Sequence, residues 1–380
     1  MELEELRKDI DTIDDEILEL FLKRMEKASR VADYKRENNL STLQKGRERE
    51  ILKKVAEKSG DEMADYSRML FQTLMDLSKS YQNKRNANAE GELSKKIKAA
   101  LDKTPRIFPQ TGTVACQGIE GAYSQLACDR LFKSPDIKYV KTFEDVFKAV
   151  ESGACSYGIL PIENSIHGTV IAVYDLMKNY NFHIIKSIKL KINHALMANQ
   201  GAELSNITEI FSHEQAIGQC SEFLKEYPDI KVTVCENTAV AAKLVADSGR
   251  RDAAAISSPD CAEIYGLSVL NDKIANSDSN FTRFICITKE LLIYPGADRT
   301  SIIMNLPHTP GALNRTISSF ALAGLNLTKL ESRPIAGRDF EFSFYFDLEA
   351  SIYAEETLNI LDELASGNNN LIFLGSYLQS

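Results

Sequence analysis

The chain has 380 residues, 44% of them hydrophobic and 26% charged, which is typical of a globular protein with two or three domains. Its formal net charge of -9 argues against a nucleic-acid partner, because no basic stripe is available to displace counterions. The charged N-terminus and the lack of a long apolar run argue against a signal peptide and a membrane partner. The seven scattered cysteines argue against disulfides and metal sites, so we expect a cytoplasmic protein.

Residues 1–86 predict an all-helical domain. A long amphipathic helix is expected first, followed by two shorter helices around residues 48–58 and 64–84. Its apolar stripe consists of Leu3, Leu6, Ile10, Ile13, Ile17, Leu20 and Val31. Residues 87–112 are polar, then weakly helical, then interrupted by proline, and this texture predicts a linker.

Cations interrupt the apolar stripe of the first helix. Arg24 and Lys35 are eleven residues apart, which places them about 20° apart around the helix. Arg7 lies seventeen residues before Arg24, roughly 100° round the helix and about 25 Å along its axis. One small ligand cannot contact both arginines unless the helix pairs antiparallel with a copy of itself. Spacing alone more often indicates solvated charges on a coiled coil.

A larger set of polar residues in this region resembles the site of the all-helical chorismate mutases. The set consists of Arg7, Arg24, Lys35, Arg47, Glu48, Ser78 and Gln82. Gln44 departs from the family, which often has an aspartate there. The resemblance implies an intertwined dimer that rearranges chorismate to prephenate by positioning and electrostatic stabilisation.

The resemblance also divides this set between two parts of the substrate. The carboxylates would be bound by Arg24, Arg47, Ser78 and Arg7 of the partner subunit. The breaking ether bond and the ring hydroxyl would be contacted by Lys35, Gln82 and Glu48.

Between Val114 and Thr288, predicted strands alternate with predicted helices. The strands are expected at 113–117, 157–162, 209–213, 231–236 and 252–258. Such alternation predicts α/β units with mostly parallel sheets, whose loops form a crevice at the carboxyl ends of the strands.

Polar residues gather at several of these strand ends. The segment P-I-E-N-S-I-H-G-T supplies Glu163, Asn164, Ser165 and Thr169. Later strand ends supply His213, Gln215 and Thr238, and G-I-E-G-A-Y-S opens a helix after Gly118. Each segment alone more often indicates helix capping. The segment N-F-T-R-F adds Thr282, Arg283 and Phe284, where a hydroxyl and a cation open an otherwise apolar strand.

Together these motifs resemble the prephenate dehydratases over residues 113–290. The resemblance implies two lobes like those of periplasmic binding proteins, lobe 1 from 113–188 plus 270–290 and lobe 2 from 189–269. Prephenate would bind between them and lose carbon dioxide together with its ring hydroxyl. Because a threonine is too weak an acid to transfer a full proton, Thr282 is expected to donate a hydrogen bond to the departing oxygen. Glu163 is a candidate general acid, and Arg283 either binds a carboxylate or braces the loop.

Residues 299–377 predict a ferredoxin-like βαββαβ domain. The segments G-A-L and E-S-R-P are consistent with ordinary turns, but they also resemble the regulatory ACT domains of prephenate dehydratases. The resemblance implies a phenylalanine site at a dimer interface. Its residues would be Gly311, Ala312, Leu313, Glu331, Ser332, Arg333 and Pro334.

As a whole, the multidomain chain resembles the bifunctional P-proteins of phenylalanine biosynthesis. The resemblance implies two substrates, chorismate and prephenate, an L-phenylalanine effector, no cofactor or metal, and a homodimer or higher oligomer. One alternative is a monofunctional dehydratase with a helical dimerisation domain, which chorismate consumption would distinguish. The other is a non-catalytic amino-acid sensor, which would leave prephenate unchanged.

Overall fold

The computed structural model describes residues 3–38, 45–86, 91–335, 341–366 and 370–380. Contacts between Cα atoms divide the chain into two compact units. The first consists of Met1–Lys95, Thr309–Gly324 and Leu358–Asn368. The second consists of Lys96–His308, Leu325–Thr357 and Asn369–Ser380.

The described residues form the following elements. The helices are α1 Leu3–Glu37, α2 Lys45–Asn86, α3 Glu92–Lys103, α4 Tyr123–Leu131, α5 Phe143–Glu151, α6 Ile171–Met177, α7 Glu214–Gln219, α8 Ser221–Lys225, α9 Thr238–Ser248, α10 Asp260–Tyr265, α11 Ala312–Leu322 and α12 Glu355–Ser366. The strands are β1 Thr111–Gln117, β2 Ser134–Val140, β3 Tyr157–Asn164, β4 Gly168–Thr169, β5 His183–Lys191, β6 Ala195–Ala198, β7 Glu209–Ser212, β8 Lys231–Val234, β9 Ala253–Ser257, β10 Ser268–Asn271, β11 Phe281–Thr288, β12 Arg299–Asn305, β13 Asn326–Pro334, β14 Phe342–Glu349 and β15 Ile372–Gln379. Leu204–Asn206 form a short 3₁₀ turn.

The N-terminal region is helical, as the sequence predicts. Helix α1 packs against α2, and Ala32 and Met75 are buried. Helix α2 is interrupted at Gly60, whose φ of 74° and ψ of 164° are not helical. A positive φ favours glycine, so the break falls between the two shorter helices that the sequence predicts.

A ten-stranded sheet lies in the second unit, with the order β13-β14-β12-β15-β5-β11-β3-β1-β2 and β4 paired to β3. Strands β1, β2 and β3 pair in parallel, whereas β11 pairs antiparallel with both β3 and β5. At the junction β15 pairs in parallel with β5, Leu378 opposite Lys186. The backbones approach closely here, because a Cβ on Gly375 would lie 2.2 Å from the Ile184 carbonyl oxygen. The C-terminal sheet, defined as β12 to β15, is therefore continuous with the strands that carry the T-R-F segment.

Both faces of β11 are buried, which explains its uninterrupted apolar run. Ile285 and Ile287 pack in the cluster that includes α5, α6 and residues of the C-terminal sheet. Phe284 and Cys286 pack in a second cluster with residues of α4 and β1. The pairing with β3 shifts between Arg283 and Phe284, so a bulge lies beside the predicted catalytic residues.

A separate five-stranded sheet has the order β10-β6-β9-β7-β8. Its central strand β9 is buried on both faces. Small side chains at Ala253, Ala254 and Ala255 let the covering elements approach it from both sides. These two sheets confirm the alternation of strands and helices between residues 114 and 288. The prediction of mostly parallel sheets is wrong, because β11 pairs antiparallel with β3 and β5, and β6 pairs antiparallel with β9 and β10.

Two further predictions bear on the domain organisation. The C-terminal elements follow the predicted order β12-α11-β13-β14-α12-β15. Within the predicted linker, residues 92–103 form α3, and Ile97 and Ala100 on this helix are buried. The domain boundaries themselves stay predictions.

Candidate active sites

Helices α1 and α2 bring three predicted mutase residues together. Arg24 donates from Nη1 to the backbone oxygen of Leu74 at 2.9 Å and to the hydroxyl of Ser78. Ser78 is buried, and its hydroxyl donates to the same Leu74 oxygen at 2.7 Å. One turn further along, Gln82 donates from Nε2 to the backbone oxygen of Ala28 at 2.9 Å. These contacts hold the guanidinium of Arg24 against α2, and desolvation by partial burial lowers its pKa.

Two more predicted mutase residues begin α2. Glu48 lies 2.9 Å from Nζ of Lys79, and both side chains are partly buried. Arg47 is exposed, with Nη1 3.2 Å from the carboxylate of Glu50. Glu48 therefore faces a cation on the same helix as Ser78 and Gln82, whereas Arg47 faces solvent.

Arg7 is not brought to Arg24 within one chain. Arg7 is exposed near the start of α1. The side chain of Lys35 and all of Gln44 lie outside the described residues. Beside Arg7 runs an apolar row whose members are each at least 41% exposed, namely Leu3, Leu6, Ile10, Ile13, Ile17 and Leu20. A single chain thus leaves the apolar stripe of α1 uncovered.

In the second unit, β3 and β11 place Asn164 opposite Thr282. The side-chain amide of Asn164 donates to Oγ1 of Thr282 at 2.9 Å, and Thr282 is 8% exposed. Ser165 follows in the same loop, where its hydroxyl accepts from the backbone N–H of Phe281 at 2.9 Å. Phe284, also predicted to contact the substrate, is instead buried in the apolar core described above.

Three buried or partly buried polar residues, Asn280, Gln219 and His194, extend this group. Asn280 lies in the N-F-T-R-F segment, but none of the three is among the predicted site residues. Asn280 is 1% exposed; it accepts from the Asn164 amide at 2.8 Å and donates to Oε1 of Gln219 at 3.0 Å. The same Gln219 oxygen lies 2.7 Å from Nε2 of His194, and Nε2 of Gln219 lies 3.4 Å from Nδ1 of His167. Burial lowers the pKa of His194. A hydrogen-bonded network therefore joins Gln219 on α7, and His194 just before β6, to Thr282 through Asn280 and Asn164.

Glu163 and Arg283 lie opposite each other on the same two strands. Nε of Arg283 lies 3.4 Å from Oε2 of Glu163, and its Nη2 lies 2.5 Å from Oδ2 of Asp347. Desolvation opposes the charge on Arg283, but Asp347, Tyr377 and Tyr174 together outweigh it and raise the pKa of Arg283. The other Glu163 oxygen lies 3.1 Å from Nζ of Lys329. The structure therefore pairs Arg283 with two carboxylates of the protein.

Other predicted prephenate contacts lie at helix starts. His213 is the N-cap of α7, and its Nδ1 accepts from the backbone N–H of Gln215 at 3.3 Å. Desolvation lowers the pKa of His213. Thr238 is the first residue of α9, whose N-cap is Asn237. Capping therefore accounts for His213, while Asn237, not Thr238, caps α9.

The predicted regulatory residues fall in two places. Gly311 is the N-cap of α11 with a φ of 77°, and it is followed by Ala312, which is buried, and Leu313. Glu331, Ser332, Arg333 and Pro334 end β13. Glu331 accepts from Oγ1 of Thr169 at 2.8 Å, and Arg333 forms a two-point contact with Asp175.

The described part of the first unit also contains a cavity of about 680 Å³. It is lined by Phe21, Leu22, Met25, Glu26, Ser29, Arg30, Asp33, Leu77, Tyr81 and Leu322. None of these residues belongs to either predicted active site.

Among the described residues, no group of three or more His, Cys, Asp or Glu side chains is arranged to hold a metal ion. None of the described helices is both long enough and apolar enough to span a membrane. All seven cysteines are free.

Two separate parts of the chain match known enzyme families. Residues 6–83 match the family model of chorismate mutase type II, and residues 114–291 match that of prephenate dehydratase. The chain is therefore an enzyme that combines an isomerase domain with a lyase domain.

Individual relatives share this combination. The chain is 33% identical to the bifunctional chorismate mutase/prephenate dehydratase of Aquifex aeolicus, over 99% of this chain and 98% of the relative. It is 30% identical to the enzyme of that name from Escherichia coli K12, over 98% of this chain and 95% of the relative. The chain belongs to the family of bifunctional chorismate mutase/prephenate dehydratases.

A solved structure resembles part of the chain. It is prephenate dehydratase from Arthrobacter aurescens in complex with L-Phe, with a TM-score of 0.63 and 29% sequence identity. The match covers 70% of this chain and 89% of that protein.

Proposed function

We propose that the helical domain, residues 1–86, rearranges chorismate to prephenate as a homodimer in which Arg7 of the partner subunit completes each site. The exposed apolar row on α1 supports this proposal, because a surface of that length is rarely left in water. A second copy of the helix carries the complementary row and the missing cation.

In this site the reaction needs no proton transfer or covalent intermediate. Arg24, Arg47 and Ser78 bind the substrate carboxylates together with the partner's Arg7. Lys35 and Gln82 donate to the ether oxygen as its bond breaks, and Glu48 accepts from the ring hydroxyl. The contact of Arg24 with Ser78 supports these roles, since a prearranged cation stabilises developing charge without reorganisation.

The α/β domain, residues 113–290, then converts prephenate to phenylpyruvate. The pairing of Asn164 with Thr282 carries this assignment, because it leaves the hydroxyl proton of Thr282 free to donate to the departing ring hydroxyl. Glu163 is proposed to act as a catalytic carboxylate rather than as the general acid, because a cation lies beside each of its two oxygens. The other proposed prephenate contacts are Ser165, Thr169, His213, Gln215 and Thr238, whereas Phe284 packs in the core. Arg283 braces the site rather than binding a carboxylate, because both its contacts are to protein carboxylates.

L-Phenylalanine binds the C-terminal domain, residues 299–377, and inhibits the dehydratase. The Arthrobacter aurescens relative, which was solved in complex with L-Phe, supports this effector.

The free cysteines support a cytoplasmic location, because that compartment keeps thiols reduced. Residues 87–112 connect the mutase to the rest.

One assay tests both activities and their regulation. Purified protein is supplied with chorismate, and prephenate and phenylpyruvate are measured over time with and without L-phenylalanine. Accumulation of prephenate alone would contradict the dehydratase, and failure to consume chorismate would contradict the mutase. Phenylpyruvate formation that ignores L-phenylalanine would contradict the regulatory site only.

A further inference from the structure

One face of β13 carries three charged side chains, which contact Glu163 on β3, Thr169 on β4 and Asp175 on α6. Lys329 lies 3.1 Å from Oε1 of Glu163 and donates to Oγ1 of Thr169 at 3.0 Å. Thr169 in turn donates to Glu331 at 2.8 Å. Arg333 continues the row with its contact to Asp175. Because these three residues alternate along the strand, they share one face of the C-terminal sheet.

The neighbouring strand β14 supplies a buried anion to the same region. The side chains of Arg283 and Asp347 are 8% and 9% exposed, so the pair is almost fully removed from water. Asp347 is itself held, because Oδ1 accepts from the hydroxyl of Ser301 at 2.6 Å. Ser301 lies 2.7 Å from the hydroxyl of Tyr377 on β15. Three strands of the C-terminal sheet therefore fix the position of one carboxylate.

Arg283 and Lys329 lie beside the Glu163 carboxylate, one at each oxygen. Asp347 accepts from Nη2 of Arg283, while Nε of Arg283 lies 3.4 Å from Oε2 of Glu163 as an ion pair without a hydrogen bond. Lys329 faces the other carboxylate oxygen. With a cation beside each oxygen, the Glu163 carboxylate is attracted from two sides, while its side chain stays 39% exposed and open to a ligand.

We propose that Asp347 and Lys329 are positioning residues of the dehydratase, and that the C-terminal sheet orients Glu163 through them. Asp347 acts through Arg283, and Lys329 acts directly. The inference rests on the catalytic role proposed for Glu163. It makes the C-terminal sheet a structural part of the dehydratase site, whatever effector that sheet binds.

The test compares variants of the full-length enzyme. Asp347→Asn removes the charge that holds Arg283, and Ser301→Ala removes the hydroxyl that holds Asp347 but leaves every charge in place. Asp347→Glu keeps the charge, and Lys329→Met removes the second cation. Glu349→Gln is the matched control, because Glu349 lies on the same face of β14 and pairs with Arg299 at 3.1 Å.

We expect Asp347→Asn and Lys329→Met to lower dehydratase kcat at least about tenfold, because misplacement by about 1 Å can cost a hundredfold. The KM for prephenate should stay within about twofold, since kcat alone changes when only a transition-state interaction is lost. Asp347→Glu should recover part of the loss. Glu349→Gln should behave as the wild-type enzyme.

Asp347→Asn leaves the buried guanidinium of Arg283 with only its 3.4 Å contact to the Glu163 carboxylate and can destabilise the fold. Ser301→Ala decides the question in that case, since it removes no charge and should still lower kcat severalfold. Melting temperatures identify the variants that are folded. Folded variants with wild-type kcat would overturn the proposal, and so would a rise in KM with unchanged kcat, which would mean that Arg283 binds prephenate.

Glu163→Gln separates this inference from the function on which it rests. If Glu163→Gln retains wild-type turnover, the catalytic role of Glu163 fails and the positioning proposal falls with it. If Glu163→Gln is inactive while Asp347→Asn, Ser301→Ala and Lys329→Met are fully active, only the positioning proposal is overturned.

Discussion

The side-chain amide of Asn164 donates a hydrogen bond of 2.9 Å to the hydroxyl oxygen of Thr282. The orientation of this amide is fixed, because its oxygen accepts from the backbone N–H groups of Ile166 and His167, each at 2.9 Å. A hydroxyl carries one proton, and here its oxygen is already an acceptor. The proton of Thr282 is therefore directed away from Asn164 and is available to a ligand.

Replacing Thr282 tests this arrangement. We expect Thr282→Ala to lower dehydratase kcat at least about a hundredfold, as loss of a prearranged donor does. Thr282→Ser should retain much of the activity because it keeps the hydroxyl. Steady-state kinetics with prephenate give the answer, with mutase activity as an internal control. Equal losses in the two variants, at unchanged KM, would show that packing of the methyl group matters instead.

Sequence patterns predicted the strands near the dehydratase site, because buried strands with polar ends leave a local signature. They also identified Thr282 and Asn164, which belong to recognisable motifs. Gln219 and His194 were missed, since each is an isolated polar residue whose partners are brought to it only by the fold. The pairing of Arg283 with Asp347 was missed for the same reason, because 64 residues separate them.

In the helical domain, the sequence predicts the helices but not how a second chain is placed against them. The heptad pattern predicted α1 and its apolar stripe, and the spacing of Arg7 and Arg24 required a second chain to join them. The exposed apolar row agrees with that requirement, but a partner's placement depends on contacts that one chain does not contain. The role of Arg7 is therefore open to experiment only in the oligomer.

Arg24→Ala should lower chorismate mutase activity at least about a hundredfold, because it removes a cation prearranged for the transition state. Dehydratase turnover of supplied prephenate should be unchanged. Arg30→Ala is the matched control, since Arg30 lies on the same helix and pairs with Glu26 in an exposed position. Similar losses in both variants would indicate a general loss of helix stability rather than of a site residue.

Mixing Arg7→Ala with Arg24→Ala protein tests the crossed site. Each variant alone should lack mutase activity, but a mixed dimer contains one site with both arginines intact. We expect a substantial part of the wild-type mutase activity to return after the subunits exchange. Exchange can be followed with two different affinity tags. If tagged mixed dimers form and activity stays absent, Arg7 does not act across the interface.

Three histidines that are buried or partly buried predict a loss of stability in acid. Desolvation lowers the pKa of His183, His194 and His213 below the ordinary value of 6.5. The unfolded chain therefore binds more protons than the folded chain just below that value, and the free energy of unfolding falls as the pH falls. Urea unfolding one pH unit above and one below 6.5 measures the effect. His194→Gln should reduce the pH dependence.

Gly311→Ala should weaken inhibition by L-phenylalanine while leaving basal dehydratase activity unchanged. Gly311 has a φ of 77°, and an added Cβ would lie 3.2 Å from Nη1 of Arg315, at the N-terminus of α11. The methyl group would therefore disturb the backbone that is proposed to bind the amino acid.

Gly324→Ala is the matched control, because Gly324 follows the same helix with a φ of 71° and open space around it. Titration of dehydratase activity with L-phenylalanine compares the two variants with the wild-type enzyme. Undiminished inhibition in Gly311→Ala would place the effector at another site, and equal weakening in both variants would attribute the effect to strain in α11.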